Sequence, residues 1–302
     1  MPSQKTTSRP PAHPTDQRPE PGPPFPAQHQ PHPGRESDID PKPRYEAPNY
    51  KPAGKLTGKI ALITGGDSGI GRAVALIYAR EGADVAIAFL PSEQEDAEEV
   101  RAAVTATGRR CLLLADDLTN AGAAENLIEQ TVSQLGGLDI LVSNAAYQNR
   151  KETLADIDDA EFDKTYRTNV HAFFRLAKAA IPHLREGSAI IVTASIQGKQ
   201  PSAELVDYAS TKAALISMTK SLAKQLVSKG IRVNAVAPGP VWTPLNAVDA
   251  GQPAEKVGTF GTDSESGRPA QPEEIAPAYV FLASNPDSSY ISGAVIFPTL
   301  AE

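Results

Sequence analysis

From residue 55 onward the sequence predicts an α/β domain, doubly wound around a parallel sheet. Three observations predict it. Short β-rich runs alternate with longer helical patterns, an order that implies right-handed crossovers and helices on both faces of a parallel sheet. The short runs are continuously apolar rather than alternating, as strands covered on both faces must be. A glycine-rich turn, Thr64-Gly65-Gly66-Asp67-Ser68-Gly69-Ile70-Gly71, joins the first run to the first helical pattern.

The elements follow in order. Residues 60–64 read as an apolar strand and 70–81 as a helix, which Gly82 stops. A second strand at 84–89 leads to a helix at 93–107 that ends at Gly108. The third strand, 110–115, precedes a helix at 120–135 ending at Gly136-Gly137. The fourth strand, 139–143, is followed by a long helix at 160–184 with Pro182 near its end. Strand five (189–194) and a helix at 203–229, ended by Gly230, come next. Strand six (232–237), a helix at 272–284 and a last strand at 294–297 complete the domain. No internal repeat at solenoid spacing is present.

Composition sets the outer limits. A chain of 302 residues is one large domain or two small ones, and 40% hydrophobic residues suffice for a sizeable core. A net charge of −7 gives a general nucleic-acid role no electrostatic support. The one cysteine, Cys111, excludes a disulfide framework; in the run Cys111-Leu112-Leu113-Leu114 it reads as a packing residue. The start, Met1-Pro2-Ser3-Gln4-Lys5, leads into no apolar signal region. No apolar run approaches the ~20 residues that span a bilayer, so no membrane partner and a cytoplasmic location are expected.

Residues 1–54 differ from the rest. They hold 15 of the 27 prolines and show almost no apolar periodicity. Such a segment buries too little surface to offset its ordering entropy, so it is expected to be an extended or disordered arm in isolation. His13, His29 and His32 fall in it and read as solvated tail residues rather than metal ligands; no metal site is expected. Residues 45–55 carry aromatics that suit docking on the body or on a neighbouring subunit.

Two motifs carry chemistry. In the glycine turn, Gly65, Gly69 and Gly71 permit a tight turn and close backbone approach to a diphosphate. The following helix N-terminus adds partial positive charge and free N–H groups. The second motif is Tyr208-Ala209-Ser210-Thr211-Lys212. A Tyr-x3-Lys pair alone says little, since chance supplies roughly 0.4 such pairs in a chain of this composition. Tyr147-Gln148-Asn149-Arg150-Lys151 is such a decoy, in a polar segment after the fourth strand. Tyr208 and Lys212 instead fall on a predicted helix, where i and i+4 side chains share a face. An ammonium there favours the phenolate and lowers the pKa of a phenol from about 10. Tyr208 then gives a proton to a carbonyl or takes one from an alcohol.

The spacing Gly-x3-Gly-x-Gly, together with the tyrosine motif, resembles the short-chain dehydrogenase/reductase family over residues 55 to about 298. The arm, Lys55-Leu56-Thr57-Gly58-Lys59, the glycine turn and Ala237-Pro238-Gly239-Pro240-Val241-Trp242-Thr243-Pro244 look like its bacterial stress-associated oxidoreductases. The resemblance implies a Rossmann-like, seven-stranded parallel sheet of order 3-2-1-4-5-6-7, with 55–302 as one dinucleotide-binding catalytic domain. It implies an NAD(P)(H)-dependent oxidoreductase acting on a small aldehyde, ketone or sugar-like substrate, and a homotetramer. Ser195, 13 residues before Tyr208, orients the substrate oxygen. Asn169 helps hold a water that links Lys212 to solvent. Gly65, Asp67, Ser68, Gly69, Ile70 and Gly71 hold the diphosphate. Asp117 and Leu118 lie near the adenine, though Asp116 leaves the register open by one. Asn144 follows the fourth strand. Pro238, Gly239, Val241 and Thr243 contact the nicotinamide carboxamide and a phosphate. Tyr208 and Lys212 also hold the ribose.

The chain departs from the family pattern at Ala146, where a glycine is usual and a methyl crowds the coenzyme path, and at its C-terminus, which lacks an Asn-Gly-Gly-like turn. The end of the second strand, Phe89-Leu90-Pro91-Ser92, carries no charge. Ser68 and Arg72 are then the candidates for assisting a 2′-phosphate, which leans the reading to NADP(H) over NAD(H). Residues 244–268 read as a mobile lid. Trp242 either lines the pocket or packs. The rival reading is a dinucleotide-binding redox sensor or oligomeric scaffold without turnover; a sugar-nucleotide epimerase is disfavoured by the glycine spacing.

Overall fold

A computed structural model describes residues 20–300. Seven strands, β1 (Ile60–Thr64), β2 (Asp84–Phe89), β3 (Cys111–Ala115), β4 (Ile140–Ser143), β5 (Ala189–Thr193), β6 (Arg232–Val236) and β7 (Val295–Ile296), form one sheet of order β3-β2-β1-β4-β5-β6-β7. Every pairing is parallel, with Leu62 opposite both Ala86 and Leu141 and Ile190 opposite Val233. The expected seven-stranded, doubly wound architecture is what the chain adopts.

Successive strand residues point to opposite faces, and the core divides accordingly. Ile63, Val85 and Ile87 meet α1 (Gly69–Arg80), α2 (Gln94–Thr105) and a C-terminal helix at Pro272–Ala283. Leu62, Ala86, Leu141 and Val233 meet the other layer: α3 (Ala123–Leu135), Phe173 and Leu176 near mid-chain, and a long helix at Val206–Leu226. Strand order reverses between β1 and β4, which opens a crevice at their carboxyl ends.

The helix expected at 160–184 is interrupted. It comprises α4 (Asp159–Tyr166), a π-helical turn at Arg167–His171 and α5 (Ala172–Ala180). The long helix, α6 (Val206–Leu226), carries 3₁₀ turns at both ends. Residues 244–268 hold two short helices, α7 (Pro244–Ala247) and α8 (Ala254–Gly258), before α9 (Pro272–Ala283).

Residues 20–54 contain little regular structure and lie against the body. The Phe25 N–H donates to the Gly258 carbonyl (2.7 Å), the Gln30 N–H to Ala247 (2.9 Å) and the Glu273 N–H to Arg44 (3.0 Å). Phe25 and Ile39 bury themselves with Trp242, Ala247 and Val257. That apolar burial and those backbone bonds offset the ordering cost that composition alone suggested. His13 lies outside the described residues.

Candidate active site

The glycine turn owes its shape to contacts that exclude side chains. Gly65 and Gly69 have φ of +61° and +50°. A Cβ on Gly71 would sit 1.8 Å from the Gly65 carbonyl oxygen, and one on Gly66 would sit 2.5 Å from Ile87. Thr64, at the end of β1, accepts the N–H groups of Asn144 (3.0 Å) and Ala145 (3.2 Å) on its hydroxyl. Asn144 Nδ2 donates to the Gly65 carbonyl (3.2 Å), and its Oδ1 accepts from Thr193 at the end of β5 (3.0 Å). Three strand ends are thereby tied to one turn. Thr193 and its other partner, the Tyr279 hydroxyl (2.7 Å), escaped sequence reasoning because no local motif marks them.

Above this turn lies a cavity of about 510 Å3. Gly65, Asp67, Ser68, Gly69 and Ile70 line it, as do Asp116, Asp117, Leu118, Asn144, Ser195, Tyr208 and Lys212. Pro238, Gly239, Val241 and Thr243 complete the opposite side, where a Cβ on Gly69 would touch Thr243 (3.0 Å). Gly71 is placed behind the turn and Asn169 beneath it. Asp117 is fixed by the Thr119 N–H and hydroxyl (both 2.8 Å), whereas Asp116 turns to Asn126 on α3 (3.2 Å).

Tyr208 and Lys212 face each other on α6, with Lys212 Nζ 5.2 Å from the phenol ring centre. Lys212 donates to the Thr193 carbonyl (2.9 Å), and the Tyr208 hydroxyl hydrogen-bonds Ser195 at the end of β5. Burial drives both groups toward their neutral forms. It pushes Tyr208 up to about 12, against the Ser195 hydrogen bond and the Arg150 charge that pull it down. It pushes Lys212 down to about 7. The expected lowering of the phenol by the ammonium does not occur: desolvation raises Tyr208, and what opposes the rise is Ser195 and Arg150, not Lys212. A neutral phenol is a proton donor.

Asn169 sits in the π turn, where backbone hydrogen bonds skip to i+5. Its Oδ1 accepts from the Tyr147 N–H (2.8 Å); its Nδ2 donates to the Tyr147 carbonyl (2.9 Å) and to Thr211 on α6 (3.1 Å). It thus clamps the segment after β4 to the tyrosine helix.

The decoy pair behaves differently. Tyr147 and Lys151 both bind Glu161, at 3.2 and 2.8 Å. Between them, Gln148 and Arg150 line the cavity and are held by the buried Asp249, which accepts Gln148 Nε2 (2.8 Å) and the Arg150 N–H (2.7 Å). Sequence reasoning missed this polar wall, since Asp249 lies about a hundred residues away.

Other expectations resolve as follows. Trp242 packs: it is fully buried, stacks on Phe25 at 4.1 Å and donates to the Pro41 carbonyl (2.7 Å). Arg72 is neither solvated nor free. It pairs with Glu36 (3.1 Å), Asp96 (3.8 Å) and Glu99 (3.2 Å). Ala146 lines the cavity without left-handed backbone; among the described residues Ala47 is the one non-glycine with positive φ. Burial pushes the Cys111 thiol up to about 12, as for a packing residue. In the cavity wall, burial raises the carboxyls of Asp67 and Glu93.

The comparisons with known proteins agree with this fold. Residues 65–298 match the family model described as enoyl-(acyl carrier protein) reductase. General stress protein 39 of Bacillus subtilis is 50% identical over 264 residues, 87% of this chain and 91% of that protein. The chain belongs to the short-chain dehydrogenase/reductase family of oxidoreductases. Within it, NADPH-dependent aldehyde reductase 1 of Arabidopsis thaliana is 41% identical over 271 residues (88% and 93%). A short-chain dehydrogenase from Burkholderia cenocepacia, solved in complex with NADP, aligns at a TM-score of 0.72 and 33% identity over 80% of this chain and 97% of that one.

Proposed function

We propose that this oxidoreductase passes a hydride between a nicotinamide coenzyme and a small carbonyl or alcohol, with Tyr208 moving the accompanying proton. One observation carries the reading: Ser195, Tyr208 and Lys212 converge on the cavity that the glycine turn floors. Glycines that no Cβ could replace and a helix N-terminus beneath the cavity suit a dinucleotide. Gly65, Asp67, Ser68, Gly69 and Ile70 would hold its diphosphate, with Gly71 letting α1 pack close behind the turn, Asp117 and Leu118 its adenine end, Asn144 and Lys212 its ribose region, and Val241 and Thr243 its carboxamide. The coenzyme supplies or accepts the hydride.

The protein's part is positional and protic. Ser195 donates to the carbonyl oxygen and fixes it beside the phenol. Tyr208, held protonated by burial, passes its proton to that oxygen as negative charge builds there. Lys212 stabilises the phenolate left behind and Asn169 keeps its helix in register with the strand ends. Alcohol oxidation runs the same steps backwards.

NADP(H) is the favoured coenzyme, supported by what the Arabidopsis and Burkholderia proteins use. Ser68 offers a hydroxyl to a 2′-phosphate. A homotetramer is supported by Phe162 and Phe174, exposed on α4 and α5. Among the described residues no helix is long and apolar enough to cross a membrane, which fits a cytoplasmic enzyme.

The test is a panel of aldehydes, ketones and sugars followed by nicotinamide absorbance with each coenzyme. Turnover in the native chain, lost in Tyr208→Phe with coenzyme binding retained, is the expected result. Binding without turnover of any compound would favour the sensor or scaffold.

A further inference from the structure

The arm crosses the mouth of the cavity. The family model begins at residue 65, and the Burkholderia structure is matched almost end to end while leaving a fifth of this chain uncovered. Part of the arm is shared with relatives such as general stress protein 39, whose match spans 87% of this chain. Residues 20–54 are anchored on both banks of the crevice.

On the lid side, the Phe25 and Gln30 N–H groups bind the Gly258 and Ala247 carbonyls. His29 Nε2 lies 3.0 Å from the carbonyl oxygens of both Asp249 and Gln252. On the turn side, Glu36 is 1% exposed; its carboxylate accepts the Gly69 N–H at the head of α1 and pairs with Arg72. Its own N–H donates to Asp96 (2.7 Å). Between these anchors His32 and Pro33 join the cavity wall. The His32 imidazole meets the Tyr147 ring edge-on, 5.1 Å between centres. Burial and Lys164 lower its pKa, while Asp117, at the expected adenine end, raises it.

We propose that the arm is a strap across the coenzyme crevice that retains the bound dinucleotide, with His32 as the residue that covers it. This rests on the coenzyme reading given above. A dinucleotide stretched from Asp117 to Tyr208 passes beneath residues 30–36, so neither entry nor release is direct. Both wait for the strap to lift. Between Gln30 and Glu36 the strap is tied by the Gln30 N–H to Ala247, by the Arg35 N–H to the Gln30 side chain (2.7 Å) and by the Arg35–Glu95 and Glu36–Arg72 pairs, whereas the sheet beneath it is covered on both faces. Local opening of the strap alone is therefore the low-energy route.

The experiment uses the full-length protein and measures dissociation of NADPH and of NADH by stopped-flow displacement, read from reduced-nicotinamide fluorescence. His32→Ala removes a partly buried ring at the cavity rim and should raise the dissociation rate by about tenfold, with the circular dichroism of the native fold retained. Glu36→Gln frees the other anchor and should raise it too; should that variant misfold, His32→Ala still decides. Dissociation from His32→Ala within about twofold of native overturns the strap while leaving the coenzyme reading intact. Native protein that binds neither coenzyme overturns both.

Discussion

Two tyrosines in this chain are followed four residues later by a lysine, and their backbones set them apart. Tyr208 and Lys212 occupy one face of α6, so the phenol and the amine look at each other across the cavity. Tyr147 and Lys151 lie in an irregular segment and are joined only through a third residue, Glu161. Burial pushes both phenols up to about 12. What comes next differs. At Tyr147 the Glu161 charge raises the value further; at Tyr208 the Ser195 hydrogen bond and Arg150 oppose the rise. A spacing becomes a device only when the backbone makes it a geometry and the neighbours favour the charged form that the reaction must create.

The comparison breaks most sharply at the phenols. Tyr208→Phe should cost about 10²–10⁴-fold in kcat, the range for a lost general acid–base group, while Tyr147→Phe should stay within about threefold. Equal losses in steady-state assays of the two variants would erase the distinction. Ser195→Ala should cost less, about 10–100-fold, and shift the pH–rate profile because the phenol loses the partner that lowers its pKa.

Lys212 sharpens the comparison through stability. Its folded pKa, about 7, lies below the ordinary 10.5. Between those values the unfolded chain binds a proton that the folded chain does not, so stability should rise with pH across that window, by at most about 1.4 kcal/mol per pH unit. Lys212→Met should flatten the rise in denaturant titrations of coenzyme-free protein; an unchanged slope would show that burial does not control this amine. The smallest effect belongs to the second pair. Glu161→Gln should lower stability by about 1 kcal/mol and leave kcat near native.

Much of the architecture was legible because it is written in local terms. Apolar runs, helix-ending glycines such as Gly82 and Gly230 and the turn at Gly65–Gly71 are signals a few residues long. They placed most strands and helices within about three residues of their observed ends. The π turn at Asn169 was not legible, since no glycine or proline marks it and the Tyr147 backbone that Asn169 binds is 22 residues upstream. Arg72 read as a candidate for a 2′-phosphate because Glu36, its partner, is 36 residues upstream. The docking of residues 25–39 was not legible for a similar reason. The arm's prolines suggest disorder, but its few apolar side chains, Phe25 and Ile39 among them, find a place on the distant 242–257 segment. The lid expected to be mobile is the surface they dock on. Gln148 and Arg150 were dismissed with the decoy although Asp249 turns them toward the cavity.

The stacking of Trp242 under Phe25 has a spectroscopic consequence. Trp242 is the single tryptophan of the chain, and it sits where arm and lid meet. Its emission colour and quenching therefore monitor that junction alone, undiluted by any other indole. Detachment of the arm would expose the indole to water and shift its emission to the red, so the native protein already carries its own optical gauge.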